Sequence, residues 1–377
     1  MARINLRQPL VHQLALPYLL IVPALFSVAA VLVLSLHGDL NIPALYSQCH
    51  ARARLPGLSR IPVLGAPVCF IVSFFAEAAA SARGVAHLAG ILAFVGALLT
   101  VCRVEAARAC NQRSWTVRTP TPAWLVFNLL GGTLVWDLWV VPAFLRRAKA
   151  IRAENVQEDA LESLQRDRNP LEDEELIQTE RSFISGAEVY ATPLAVAVGF
   201  VVPSILMLAL KDAVAVIVWL FFPLWVAVVH WAASAVAVRL LRDNGPLYLE
   251  AHPLSVRTVY AVPFVASILA HALFIWNLFR GNDSREMTRT TLKFIEIDFA
   301  FIAASVLYWV FVESGGIPAA ALVVLSLFMG PGAALCAAWL LREKAICAVA
   351  VSAQEEEAEE ESDGDDSTVH EDTPLLN

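Results

Sequence analysis

The chain has 377 residues, 58% of them apolar and only 16% charged, against roughly 45–50% and about 25% in soluble domains. The excess gathers into blocks about as long as the ~20 residues a helix needs to cross a bilayer, which excludes a soluble globular protein and predicts an all-α, polytopic integral membrane bundle. The formal charge of −8 belongs to the C-terminus: eleven acids and no Lys or Arg follow Gln354, and without them the body is slightly basic at +3, a balance that suggests no nucleic-acid partner.

In chain order, spans are expected near 14–36, 61–79, 85–102, 122–145, 189–210, 213–238, 258–279, 294–312 and 317–341. That makes nine, or eight if the second, interrupted by Glu77, only dips in. The first stretch is as long as a full span and lacks the short apolar region and cleavage site of a signal peptide. Turns as short as "SARG", "KD" and "ESGG" tie neighbours into helical hairpins, so residues 1–350 read as one bundle. The insert at 146–188 is expected to form an amphipathic surface helix broken at Asn169-Pro170. Residues 351–377 form an acidic tail that cannot bury enough apolar surface to order itself. Cys49, Cys69, Cys102, Cys110, Cys336 and Cys347 show no CxxC pair, and neither a disulfide framework nor a zinc site is implied.

Orientation is not readable from this pattern. With nine spans the two sides carry 13 and 14 Lys/Arg, so the positive-inside rule favours neither side. The sequon at Asn282 (Asn282-Asp283-Ser284) would lie in a lumen if glycosylated. The C-terminal "EDTPLL" resembles a cytosolic sorting signal, and under nine spans the two share a side. No internal repeat of the transporter kind is visible.

Ionisable residues inside spans default to a functional reading. They are Glu77, Glu105, Asp137, Glu188, Glu296, Asp298 and Glu313, with His230 and His271 also embedded. Glu105 and Arg108 lie three apart on one helical face and can pair. Glu188 precedes its helix, where the macrodipole favours a negative charge. Asp137, in "NLLGGTLVWDLWVVPAF", has no basic residue within a turn, and Thr133 is its one local partner. Desolvation disfavours its charged form, which makes it the first candidate for a proton donor. Glu296 and Asp298, two residues apart, point about 200° from one another on a helix, so only one can face the interior.

Ten tryptophans accompany these acids. Trp faces stabilise cations, and Trp136, Trp139, Trp225 and Trp309 are the expected wall of a cation-bearing pocket. No DDxxD or Walker A loop occurs. Asn282-Asp283-Ser284-Arg285-Glu286 matches the metal motif of membrane prenyltransferases only in part. Asp363-Gly364-Asp365-Asp366 has a DxDD pattern but lies in the acidic tail. No metal, nucleotide or other cofactor is expected.

At "RIPVLGAPVCFIVSFF", "TVCRVEAARACN", "FNLLGGTLVWDLWVVPAF" and "MTRTTLKFIEIDFAF" the chain resembles the fungal membrane-bound terpene cyclases of meroterpenoid pathways, of the ascofuranone and ascochlorin kind. The resemblance covers most of the bundle but not the tail, and implies cyclisation of an (epoxy)farnesyl chain on an aromatic nucleus, after a separate oxygenase has made the epoxide. It also suggests an endoplasmic reticulum or other endomembrane location. The physical reading beside it makes Asp137 the acid, with Glu105, Glu77 or Asp298 as a second carboxylate and a hydrophobic prenylated molecule as partner. The alternative is a proton-coupled secondary transporter or exporter of a hydrophobic molecule, in which the same acids would relay protons.

Overall fold

The computed structural model describes residues 10–38, 40–45, 47, 65–163, 184–241, 253–279 and 286–344. These form an all-α bundle with no strand among the described residues. The helices are α1 (Leu16–His37), α2 (Gly65–Ala78), α3 (Ala82–Ala107) and α4 (Thr121–Leu130). Next comes α5, running from Gly132–Val135 through a π-helical turn at Trp136–Val140 into Val141–Ser163. Then follow α6 (Glu188–Leu210), α7 (Ala213–Leu220), α8 (Phe222–Leu241), α9 (Pro253–Leu278), α10 (Glu286–Ser314), α11 (Gly316–Met329) and α12 (331–344).

Each of the nine apolar segments is helical over most of its described residues, but fewer than nine helices are long enough to cross a membrane. The fourth segment stops at Gly131, whose φ of +111° is open to glycine, and α5 then turns back. Trp124 on α4 lies 6.1 Å from Trp136 on α5, and Trp124 and Phe144 enclose one small space with Cys102. Arg147 donates from Nε to the Cys110 carbonyl at 3.0 Å, just past the end of α3. The chain therefore leaves and regains the same face, here the first face. Ten residues of α4 reach only ~15 Å, half the ~30 Å hydrocarbon core.

The last segment does the same. α11 descends beside α10 to Gly330, φ +87°, which packs on His271 of α9. α12 then rises, with Ala333 N donating to Ser267 Oγ at 2.8 Å and Arg342 donating to Glu105 at 2.8 Å. α2, only 14 residues long, hangs from the opposite, second face. There Thr288 at the start of α10 donates to Glu77 at 2.9 Å. Among the described residues six helices are long and apolar enough to cross a membrane: α1, α3, α6, α8 (which continues from α7), α9 and α10.

The insert begins as a continuation of α5, with Arg147 paired to Glu154 at 2.9 Å. Residues 164–183 with Asn169-Pro170, Asn282 and the 351–377 tail lie outside the described residues. Cys69 is disulfide-bonded. Cys102, Cys110 and Cys336 are free.

Candidate active site

A cavity of about 530 Å³ lies between α2, α3, the tip of the α4–α5 hairpin, α7 and α10, within the range of small-molecule sites. Its wall is phenylalanine: Phe70, Phe74 and Phe75 from α2, Phe94 from α3, Phe127 from α4, and Phe294 and Phe299 from α10, with Trp219 from α7. On α2 the spacing Phe70, Phe74 puts two rings on one face a turn apart. A neighbouring space, also about 530 Å³, lies between α1 and the hairpin tip and shares Leu130, Gly131, Phe294 and Asp298 with the first. Asn128 lines the cavity, but its amide already donates to the Leu220 carbonyl at 2.8 Å. Among the described lining residues, Asp298 is the one ionisable group.

Asp298 is held by the broken span. Thr133 N donates to Asp298 Oδ1 at 3.2 Å, and Thr133 Oγ1 donates to the Asp298 carbonyl at 2.8 Å. A carboxyl group of α10 thereby caps the open N-terminus of α5 in mid-membrane, where unsatisfied N–H groups and the helix dipole favour it. Gly132 makes the approach feasible. A Cβ there would stand 3.0 Å from Asp298 Oδ2 and 2.6 Å from Ile302.

Asp137 sits behind this contact, fully buried in the π-helical turn. Such single-turn departures from α-helix recur at functional sites. The Ser305 hydroxyl beside it lies at the margin of hydrogen-bonding geometry, and its carboxyl oxygens have no better-placed partner. Asp298 lies within electrostatic reach. Asp137 lines neither cavity, and Thr133, expected to serve it, serves Asp298 instead.

The remaining predicted residues are dispersed. Glu296 is exposed and pairs with His87 at 3.1 Å, leaving the interior face of α10 to Asp298. Glu77 is at the second face with Thr288. Glu105 is locked at the first face by Arg108 Nε at 3.0 Å, Arg342 at 2.8 Å and Trp339 Nε1 at 3.3 Å, and Glu343 closes the network through Arg108. Glu188 opens α6 and pairs with His230 at 2.8 Å. Trp136 and Trp309 are fully buried in a ladder with Trp339, at ring separations of 6.0 and 4.6 Å, away from the cavity. Trp139 is half-buried beside Trp124. Trp225 is 43% exposed on the outer surface.

The phenylalanines and Trp219 are what sequence reasoning missed as a wall. "CFIVSFF" carried the signal, since three rings within six residues exceed what packing of a 14-residue helix needs. A family model, the CtvD domain, matches residues 48–278. No curated protein and no solved structure matches.

Proposed function

The chain belongs to the CtvD domain family, and from that premise and the cavity we propose that it is a membrane-embedded terpene cyclase, an acid-initiated isomerase of a prenylated aromatic molecule. The observation that carries the reading is a single carboxyl group, Asp298, projecting onto an aromatic-walled intramembrane cavity with no cation paired to it among the described residues. The family's association with fungal meroterpenoid pathways supports a substrate of that class.

In this reading Asp298, protonated, gives its proton to the oxygen of a terminal epoxide. The C–O bond breaks and the electron-poor carbon is attacked by the π electrons of a neighbouring alkene. Ring closure moves the positive charge along the chain, where the faces of Phe74, Phe94, Phe127 and Trp219 stabilise it. The last cation loses a proton to the carboxylate and regenerates the acid, so product and substrate have the same formula. Asp137 is the second carboxyl, and its proximity discourages both acids from ionising together. General-acid participation of this kind is worth roughly 10²–10⁴-fold. The epoxide must come from a separate oxygenase.

Two discontinuous helices with termini in mid-membrane also occur in secondary transporters, and this favours a transporter as the second reading. Sealed microsomes carrying the protein alone, given an epoxy-farnesyl phenol, separate the two. A product of unchanged mass and altered retention time supports the cyclase. Accumulation of unaltered substrate inside the vesicles supports the transporter.

A further inference from the structure

The membrane orientation that sequence left undecided follows from the six crossings. We infer that the first face, where α3 ends and both re-entrant hairpins begin and finish, is cytosolic, and that the Asp298 cavity lies in the half of the bundle nearer the extracytoplasmic face. The inference is independent of the reaction proposed for the cavity.

Three observations carry it. Among the described residues, twelve Lys/Arg stand at or beyond the first face: Arg103, Arg108, Arg113, Arg118, Arg146, Arg147, Lys149, Arg152, Arg239, Arg257, Arg342 and Lys344. Four stand at the second: Arg83, Lys211, Arg289 and Lys293. Under nine spans the same chemistry divided evenly, because α2 and the two re-entrant hairpins were counted as three crossings and each false crossing reverses every later loop. A threefold excess of Lys/Arg beside short connections marks the cytoplasmic side. The redox state of the cysteines agrees. Disulfides persist in oxidising compartments, and the bonded Cys69 is on α2, the helix that hangs from the second face, whereas Cys110 at the first face is a free thiol. Finally, Leu278 and Glu286 now stand on the face opposite residue 344, so a lumenal sequon and a cytosolic sorting signal no longer exclude one another.

The cavity's depth follows from its lining. Leu88 is one to two turns from the start of α3, and Phe294 about two turns from the start of α10, both starts being at the second face.

The test is impermeant maleimide labelling of the full-length protein in sealed microsomes, before and after detergent. Arg113→Cys and Arg289→Cys each add one thiol at an exposed position, on the first and second face respectively. Burial pushes the Cys110 thiol up, which keeps it a poor nucleophile, and each variant is read as adducts gained over the wild-type protein labelled in parallel. Arg113→Cys is expected to gain one adduct over wild type in intact vesicles, and Arg289→Cys only after detergent. The reverse pattern overturns the orientation. Equal labelling of both in intact vesicles, with a lumenal marker protected, overturns the six-crossing topology itself.

Discussion

Asp298 and Asp137 are the same chemical group in different company. Asp298 has a fixed hydrogen-bond partner and a cavity; Asp137 has neither, only burial and a neighbouring hydroxyl. Sequence made Asp137 conspicuous because its isolation is local and legible. It could say that only one of Glu296 and Asp298 turns inward, from helical geometry, but not which one, since that depends on the packing of α10. The contact between Gly132 and Asp298 gives the first prediction. Gly132→Ala pushes a methyl group to within 3.0 Å of the carboxyl oxygen, and should lower turnover per molecule at least tenfold while the protein still reaches the membrane; wild-type turnover with Ala would remove the contact from the mechanism. Asp137→Asn gives the second. Asparagine keeps the volume and buries an amide in place of the acid, so the cost of about 1–3 kcal/mol for a poorly paired buried polar group is borne by both and stability should change little. Turnover should fall less than in the corresponding Asp298 variant. Thermal melts in detergent and product formation normalised to protein level measure both effects.

At the scale of elements, the legible part was helix existence and the illegible part was helix direction. Nine apolar segments were found because apolar length is written in the sequence. Two of them fold back because one glycine in each, Gly131 and Gly330, takes a positive φ, and an apolar run reads alike on both sides of such a break. The paired glycines in "NLLGGTL" and "FMGPGA" were the available signal. The expected tryptophan wall and the lining of the described cavity differ for a related reason. Trp136 and Trp309 were expected at the cavity from their chemistry, whereas their size places them in the ladder that packs the hairpins together. Gly131→Ala tests the role of the break. A φ of +111° with ψ of 140° is a sparsely populated conformation that costs a non-glycine residue on the order of 1–3 kcal/mol, so this variant should accumulate less and lose the alignment of Thr133 with Asp298. The expected readout is reduced abundance together with reduced turnover per molecule; unchanged values for both would mean that the hairpin tip is not a constrained element.

Across the whole molecule, the proposed site and the main ion network occupy opposite ends. The ion network of Glu105, Arg108, Arg342 and Glu343 fastens α3 to α12 at the first face, and the aromatic cavity lies toward the second. Glu105→Gln leaves the buried Arg108 and the half-buried Arg342 undercompensated, and breaking a buried network of this kind costs up to about 3–5 kcal/mol. Abundance should drop sharply while the turnover of the surviving protein stays near wild type. Equal loss of both would return Glu105 to the catalytic group that sequence suggested. The central claim is narrower: the Asp298 acid starts an isomerisation inside the bundle. Asp298→Asn tests it most directly, because an amide oxygen can still accept from Thr133 N, so the cap survives while the acid is lost. With an epoxy-farnesyl phenol and membranes matched for protein, the wild type should form a product of unchanged mass and the Asn variant should fall by roughly 10²–10⁴-fold. An Asn variant that accumulates normally and works within threefold of wild type would contradict a proton donor at this position.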